Sequence, residues 1–375
     1  MPFRDVGLLS PGTVGADDAV SDDAVLQALV DVEAAYSRAL GGEASPGAPD
    51  LESVALRARG GGNPVIPLIA ELRAAAGPGA LVHTGATSQD ILDSALMLLA
   101  SRARATMLVR LDAAITSLAH LADDHRGTVA AARTITQHAV PTTYGLRFAT
   151  WLTSLLDARD DLRAVVLPVQ LGGAAGTLAS LVQLGHPDAP AALARELGLA
   201  ESAPWHVSRA PVTRLGDALT RVTDACGTIG ANVATLSRTE IGELAEPAAE
   251  GRGGSSAMPQ KHNPVLSVLL RSVSLRAPGL ASTLHVSAAS FVDERPDGAW
   301  HAEWPTLREL LRLGLGGSAL LEELLGGLTV DLDAVARNLA LDDLRAEQRS
   351  LGGEGGPYTG LSDHFVDAAI RRARA

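Results

Sequence analysis

Aromatic residues supply only 3% of this 375-residue chain, and β-branched runs are short. With alanine and leucine abundant, that composition favours helix over sheet. Cysteine occurs once, as Cys226, which excludes an internal disulfide and fits a reducing compartment. No apolar run reaches membrane-spanning length, and the opening MPFRDVGLLSPG lacks the apolar stretch of a signal peptide. The expectation is a soluble, cytoplasmic protein with no membrane partner. Positive charge is also scarce. The net charge of −12, without a basic stripe carrying aromatics, argues against nucleic acid as a partner. An anionic substrate would need a local positive pocket set against that global field. Histidine and cysteine show no zinc spacing. Lysine is the scarcest cation: Lys261 is the single copy.

Lys261 lies in the stretch around which the chain is organised, residues 251–264, GRGGSSAMPQKHNP. Glycines allow close backbone approach to a ligand, serines supply small hydroxyls, and lysine supplies a compact ammonium. By composition alone the stretch also reads as a surface connector between two helices.

Ser21 caps a helix that stops at Gly41, with Val25, Leu29, Val32 and Tyr36 on one face. Short helices follow over 51–59 and 65–76. A polar island, ALVHTGATSQD at 80–90, precedes a helix over 91–104 for which Ser88 is the expected N-cap. Thr84, Thr87, Ser88 and the amides of that helix start form a natural carboxylate site, or else ordinary capping without a ligand. Long helices are expected over 105–130 and 142–167, separated by ARTITQHAVPTT, a break assigned to Pro141. Residues 170–178 read as a close-packed glycine-rich bend. Over 211–246, Leu215, Leu219, Val222, Cys226, Ile229, Val233 and Leu236 alternate steps of four and three, the seam of a long helix packed against near-parallel partners. Helices over 265–287, with a possible break at Pro278, and 305–325 flank a further island, FVDERPDGAWHAEW at 291–304. The tail, 329–375, reads as a weakly ordered polar stretch with one helix at 362–374. These spans predict an all-α long-helix bundle. The islands lie at different helix ends, so their convergence needs several chains.

GSSxMPxKxNP is a long and specific string, and it resembles the signature of the fumarase/aspartase superfamily. Within that superfamily the chain is most similar to the 3-carboxy-cis,cis-muconate cycloisomerases, on the strings GLLSP, GGNPVIPL (61–68), HTGATSQDILD (83–93), QHAVPTTYGLRFATWL (137–152), QLGGAAGTLA (170–179) and WHAEWPTLREL (300–310). The resemblance covers roughly residues 5–325. It implies a bundle of the fumarase/aspartase type whose core is completed by homotetramerisation, with active sites shared between subunits. It implies an N-terminal domain at 1–104, a central bundle at 105–328 and a C-terminal segment at 329–375 that is shorter than the family's. It also implies a small polycarboxylate substrate, lactonised by attack of its own carboxylate on a double bond, with no metal or organic cofactor.

Residue by residue, the resemblance makes Ser255 the catalytic serine, with Ser256 the alternative if the register differs. Lys261 and Asn263 match carboxylate-holding residues, as do Thr87 and Ser88, with Gln89 nearby. Arg295 matches a substrate-facing arginine. His83 matches a histidine of the adenylosuccinate-lyase branch, and by itself reads equally as a structural cap. Many lyases carry a histidine just after the threonine of the middle island. Here Thr134 is followed by Ile135, which leaves His138 as the available proton carrier, or as a core histidine bonded to backbone. Trp300, His301, Glu303 and Trp304 read either as site residues or as packing at a subunit junction. A fumarate-releasing lyase such as adenylosuccinate lyase is the alternative reaction, and a non-catalytic helical oligomer the alternative class.

Overall fold

The structure is a computed structural model that describes residues 6–43, 47–77, 80–254, 257–258 and 261–375. Its helices in chain order are α1 (Asp22–Ala39), α2 (Leu51–Gly61), α3 (Val65–Ala75), α4 (Ser88–Asp124), α5 (Tyr144–Ala164), α6 (Ala179–Gln183), α7 (Ala189–Leu197), α8 (Ala210–Leu236), α9 (Val265–Ala288), α10 (Gly298–Gly326), α11 (Leu332–Leu339), α12 (Ala346–Ser350) and α13 (Ser362–Arg374). A hairpin of β1 (Val129–Thr134) and β2 (Gln137–Thr143) joins α4 to α5, and β3 (Leu244–Ala245) pairs antiparallel with β4 (Thr329–Val330). The all-α expectation holds.

Five long helices, α4, α5, α8, α9 and α10, make the body. All seven seam residues of α8 are buried, and α8 and α9 run antiparallel in close contact. A Cβ on Gly230 would stand 2.9 Å from the Ser267 carbonyl oxygen, so only glycine allows that approach. Contacts fix the directions. Arg110 donates to the Leu315 carbonyl and Trp300 to Asp93, so α4 and α10 run parallel. Arg209 meets Glu303 and Cys226 lies beside Gly317, so α8 runs with them. Arg276 pairs with Glu309 while Val273 faces Gly317, so α9 and α10 are antiparallel; Arg159 pairs with Asp112 while Gly145 faces Ala122, so α4 and α5 are too. The starts of α4, α8 and α10 therefore gather at one end, the head. The starts of α5 and α9 gather at the other, the tail. A 27-residue helix such as α8 separates them by roughly 40 Å at 1.5 Å per residue.

Several boundaries differ from the sequence reading. Helices expected at 91–104 and 105–130 are one, α4, of 37 residues. Its N-cap is Thr87, not Ser88, because the Asp90 carboxylate turns back to accept the Thr87 backbone N–H at 3.0 Å. The segment read as a proline break is a hairpin, with Pro141 paired opposite Ala131 beside a register shift. α8 ends at Leu236 rather than 246, where Gly242 at φ +64° and the β3 pairing take the chain elsewhere. α9 runs unbroken through Pro278. Residues 298–304 of the last island are the first turns of α10, and the tail carries α11 and α12 besides α13. Among the described residues no helix is long and apolar enough to cross a membrane.

Candidate active site

At the head, one carboxylate organises the backbone. Asp90 is fully buried. Its Oδ2 accepts the N–H groups of Thr87 and Gly173, each at 3.0 Å, and its Oδ1 accepts that of Gly172 at 2.9 Å. His206 Nε2 lies 2.7 Å from the same Oδ1. The start of α4 and the glycine loop at 170–174 are thereby fixed to each other. Gly172 is required there, since a Cβ would meet His206 Cε1 at 2.7 Å. The same loop holds Arg295. Its Nη2 donates to the carbonyls of Gly173 (3.1 Å) and Ala174 (2.5 Å), and its Nη1 to Gln89 Oε1 at 3.4 Å. All three acceptors are neutral. Thr87, Ser88, Gln89 and Arg295 thus share one locale, with Thr87, Ser88 and Arg295 partly exposed. His83 sits at positive φ (58°) on the approach to α4. Its Nδ1 lies 2.7 Å from Glu33 Oε1, and its backbone N–H donates to Oε2 at 3.0 Å. Glu33 therefore fixes both the ring and the turn.

Beneath this surface lies a buried ionic layer. Arg209, fully buried, donates to Asp93 at 2.8 and 3.0 Å and to Glu303 at 2.7 Å. Its guanidinium lies over the Trp205 ring, 4.6 Å from the centroid. Trp300 Nε1 donates to Asp93 at 2.9 Å. Burial pushes the Glu303 carboxyl above its ordinary value, and the Arg209 contacts only partly oppose this. Burial would lower Arg209, but the two carboxylates outweigh it and hold the guanidinium charged. Trp300 and Glu303 are thus packing and pairing groups. His301 is tied down too, with Nε2 2.8 Å from the Gly62 carbonyl and Nδ1 3.1 Å from that of Asp297.

The tail has its own buried carboxylate, Glu243. It accepts from Arg133 (2.6 Å), Tyr144 (2.5 Å) and Asn338 (2.7 Å), with Arg147 at 3.6 Å. Burial alone would raise its pKa, but the hydrogen bonds from Arg133, Tyr144 and Asn338 together hold it below the ordinary carboxylate value. Burial drives the Tyr144 hydroxyl well up, so it remains a neutral donor. The hub sets the hairpin against α5 and α11. His138 on β2 lies 2.6 Å, through Nδ1, from the Asp342 carboxylate. At the hairpin tip Ile135 and Thr136 take φ of 47° and 71°. The serine stretch starts and ends at the tail as well. The Asn263 backbone and side-chain amides both donate to the Gly253 carbonyl, at 2.9 and 3.1 Å, closing the neck of the loop. Lys261 is exposed beyond that neck. Glu246 caps α9 through the amides of Leu266 and Ser267. Ser255 and Ser256 lie outside the described residues.

A family profile described as Lyase matches residues 63–279. A nitrosuccinate lyase of Streptomyces davaonensis is 45% identical over 90% of this chain and 77% of its own length. A 3-carboxy-cis,cis-muconate cycloisomerase of Pseudomonas aeruginosa is 41% identical over 94% of this chain and 82% of its own. The chain belongs to the fumarase/aspartase superfamily. Among solved structures, the 3-carboxy-cis,cis-muconate lactonizing enzyme of Pseudomonas putida superposes with a TM-score of 0.86 at 30% identity, covering 98% of this chain and 99% of that one.

For a superfamily member, the arrangement divides the candidate residues in two. Thr87, Ser88, Arg295 and His83 stand at the head; His138, Lys261, Asn263 and the ends of the serine loop stand at the tail. Within one chain these sets are a helix length apart. Sequence reasoning passed over Asp90, His206, Arg209 and Glu243. Asp90 stood inside a quoted string with no role assigned to it. The other three carried no local signal. Among the described residues no cluster of His, Cys, Asp or Glu could hold a metal ion.

Proposed function

We propose that the protein converts 3-carboxy-cis,cis-muconate to 4-carboxymuconolactone, as a homotetramer whose sites combine the head of one subunit with the tails of others. The observation that carries the anion-binding part is Arg295. Its guanidinium is oriented by three neutral oxygens, so its charge is left to attract a carboxylate beside the α4 start. The cycloisomerase relatives at 38% and 41% identity, and Ile135 in place of a histidine after Thr134, support lactonisation over fumarate release.

In this reading a substrate carboxylate oxygen attacks the neighbouring double bond. The displaced electron pair moves toward a second carboxyl group as an aci-carboxylate, and a proton is then added to the carbon beside it. Ser255 delivers that proton, and the loop amides and Lys261 stabilise the oxyanion it leaves. Lys261, Asn263, Thr87, Ser88 and Arg295 hold substrate carboxylates, His83 borders them, and His138 is the alternative proton carrier. Head and tail lie about 40 Å apart in one chain, so subunit association supplies their convergence.

The 45% identical nitrosuccinate lyase favours a second reading, elimination from a substituted succinate. There the proton leaves the carbon beside one carboxylate while the substituent departs from the adjacent carbon with the bonding pair. The same serine and carboxylate clamps would serve. The deciding experiment follows the ultraviolet decay of 3-carboxy-cis,cis-muconate with wild type beside Ser255→Ala, and nitrite release from nitrosuccinate in parallel. Rapid muconate decay, lost in the variant by about 10³-fold or more, supports lactonisation. Nitrite release without muconate decay replaces it with the lyase.

A further inference from the structure

We infer that Asp90 is the positioning residue of the head anion pocket: a single buried carboxylate sets both walls between which a substrate carboxylate is held. The inference rests on the proposed role of Arg295 and Thr87. One wall is the α4 start, fixed through the Thr87 N–H; the other is the glycine loop, fixed through the N–H groups of Gly172 and Gly173. Arg295 takes its orientation from the carbonyls of that same loop, at Gly173 and Ala174. The path from Asp90 to the cation is therefore a single residue long: Gly173 gives its N–H to Asp90 and its carbonyl to Arg295. His206 holds the carboxylate from below at 2.7 Å.

Asp90 has no direct reach to substrate, being fully buried, and Thr87, Gly172, Gly173 and His206 all present N–H groups to its carboxylate. Two donors meet each oxygen. An asparagine has the same shape but presents an NH2 group to one of those pairs in either orientation. Asp90→Asn therefore sets a donor against the Thr87 and Gly173 N–H groups or, in the other orientation, where His206 can shift its ring proton to Nδ1 and accept, against the Gly172 N–H; either way it loosens one wall. Ser94 holds the Gln170 carbonyl and the Leu178 N–H holds that of Gly172, whereas the next residue, Gly173 at positive φ (+70°), is tied through its own N–H to Asp90. A displacement of the order of 1 Å at the guanidinium is enough to weaken a carboxylate clamp substantially.

The test measures binding of tricarballylate, an unreactive tricarboxylate, and of fumarate by calorimetry. Wild type, Asp90→Asn, Arg295→Gln and Met107→Ala are compared. Met107 is buried midway along α4, away from both ends, so its truncation lowers thermal stability without touching the pocket. The expected result is a rise in Kd of about tenfold or more for Asp90→Asn and Arg295→Gln, with Met107→Ala near wild type even where its Tm falls as far as that of Asp90→Asn. Unchanged affinity in Asp90→Asn beside weakened affinity in Arg295→Gln overturns the Asp90 inference alone. So does an equal loss in Met107→Ala, which would make the effect one of general stability. Unchanged affinity in both head variants, or no binding by wild type, overturns the anion pocket itself and the inference with it.

Discussion

Head and tail each centre on one fully buried carboxylate, yet the two are satisfied in different ways. Asp90 is met by three backbone amides and a histidine. Glu243 is met by two arginines, a tyrosine and an asparagine, all through side chains. The head hub thus spreads its compensation over partial charges that belong to the very loops being positioned. The tail hub uses full counter-charges carried by long side chains on β1 and α5. The first arrangement fixes backbone, as a binding wall needs. The second clamps whole elements together, and it depends more on the charge state of its acid. The head keeps its own full counter-charge one layer deeper, in Arg209, out of reach of any ligand.

That depth sets the largest expected effect. Arg209→Ala would leave Asp93 and Glu303 buried side by side without their cation. Removing one partner of such a buried pair typically costs about 3–5 kcal/mol, and here two acids lose theirs. Urea denaturation should show a loss of that size or failure to fold. A loss under about 1 kcal/mol would mean that water or protonation of Glu303, whose pKa burial already raises, replaces the arginine.

Glu243→Gln probes the tail more gently. Hydrogen bonds to a charged group are worth about 1.5–3 kcal/mol, so a loss in that range is expected at neutral pH. The pH profile sharpens it. The folded pKa of Glu243 lies below its ordinary 4.5. Its contribution is therefore fully present above that value and is lost as the pH falls through the folded pKa. Wild-type stability should drop more steeply than that of Glu243→Gln on going below about pH 4.5. Parallel profiles would remove Glu243 from the acid limb.

The same contrast explains how much of this molecule could be read in its sequence. The bundle was legible because a helix seam repeats locally: seven apolar positions of α8 needed no knowledge of their partners, and all are buried. The hubs were not, because their partners are remote. Gly172 is 82 positions from Asp90, and Arg133 is 110 from Glu243. A lone acid in a sequence does not disclose that a loop that far away will deliver its amides. The hairpin was hidden for a different reason. Its strands are short, one begins Val-Ala-Ala-Ala and the other contains Pro141, and none of these signals strand. The lysine and the serine pair stood out by composition; their roles, and the arginine candidate, came through a resemblance. The geometry then separated them by end, which a linear string cannot do.

The hairpin tip supplies the smallest effect and the one with the most informative sign. Two residues, Ile135 and Thr136, link β1 to β2 with both φ values positive, the backbone of a turn that ordinarily calls for Asn-Gly. Ile135 is β-branched and 96% exposed, so in this chain neither its conformation nor its burial explains its presence. A left-handed non-glycine residue costs about 1–2 kcal/mol, and asparagine tolerates that region better. Ile135→Asn should therefore raise stability by about 0.5–1 kcal/mol, read as a small rise in Tm of the separated chain or of a dilute sample. If the assembled enzyme becomes less stable instead, the isoleucine makes an apolar contact in a neighbouring subunit that exceeds its strain. If Tm rises while kcat/KM for the proposed substrate falls, the strain is retained for the reaction, as strained residues at functional sites are. A rise in Tm with unchanged kinetics would remove the tip from the site and confine the tail's part to the serine loop and His138.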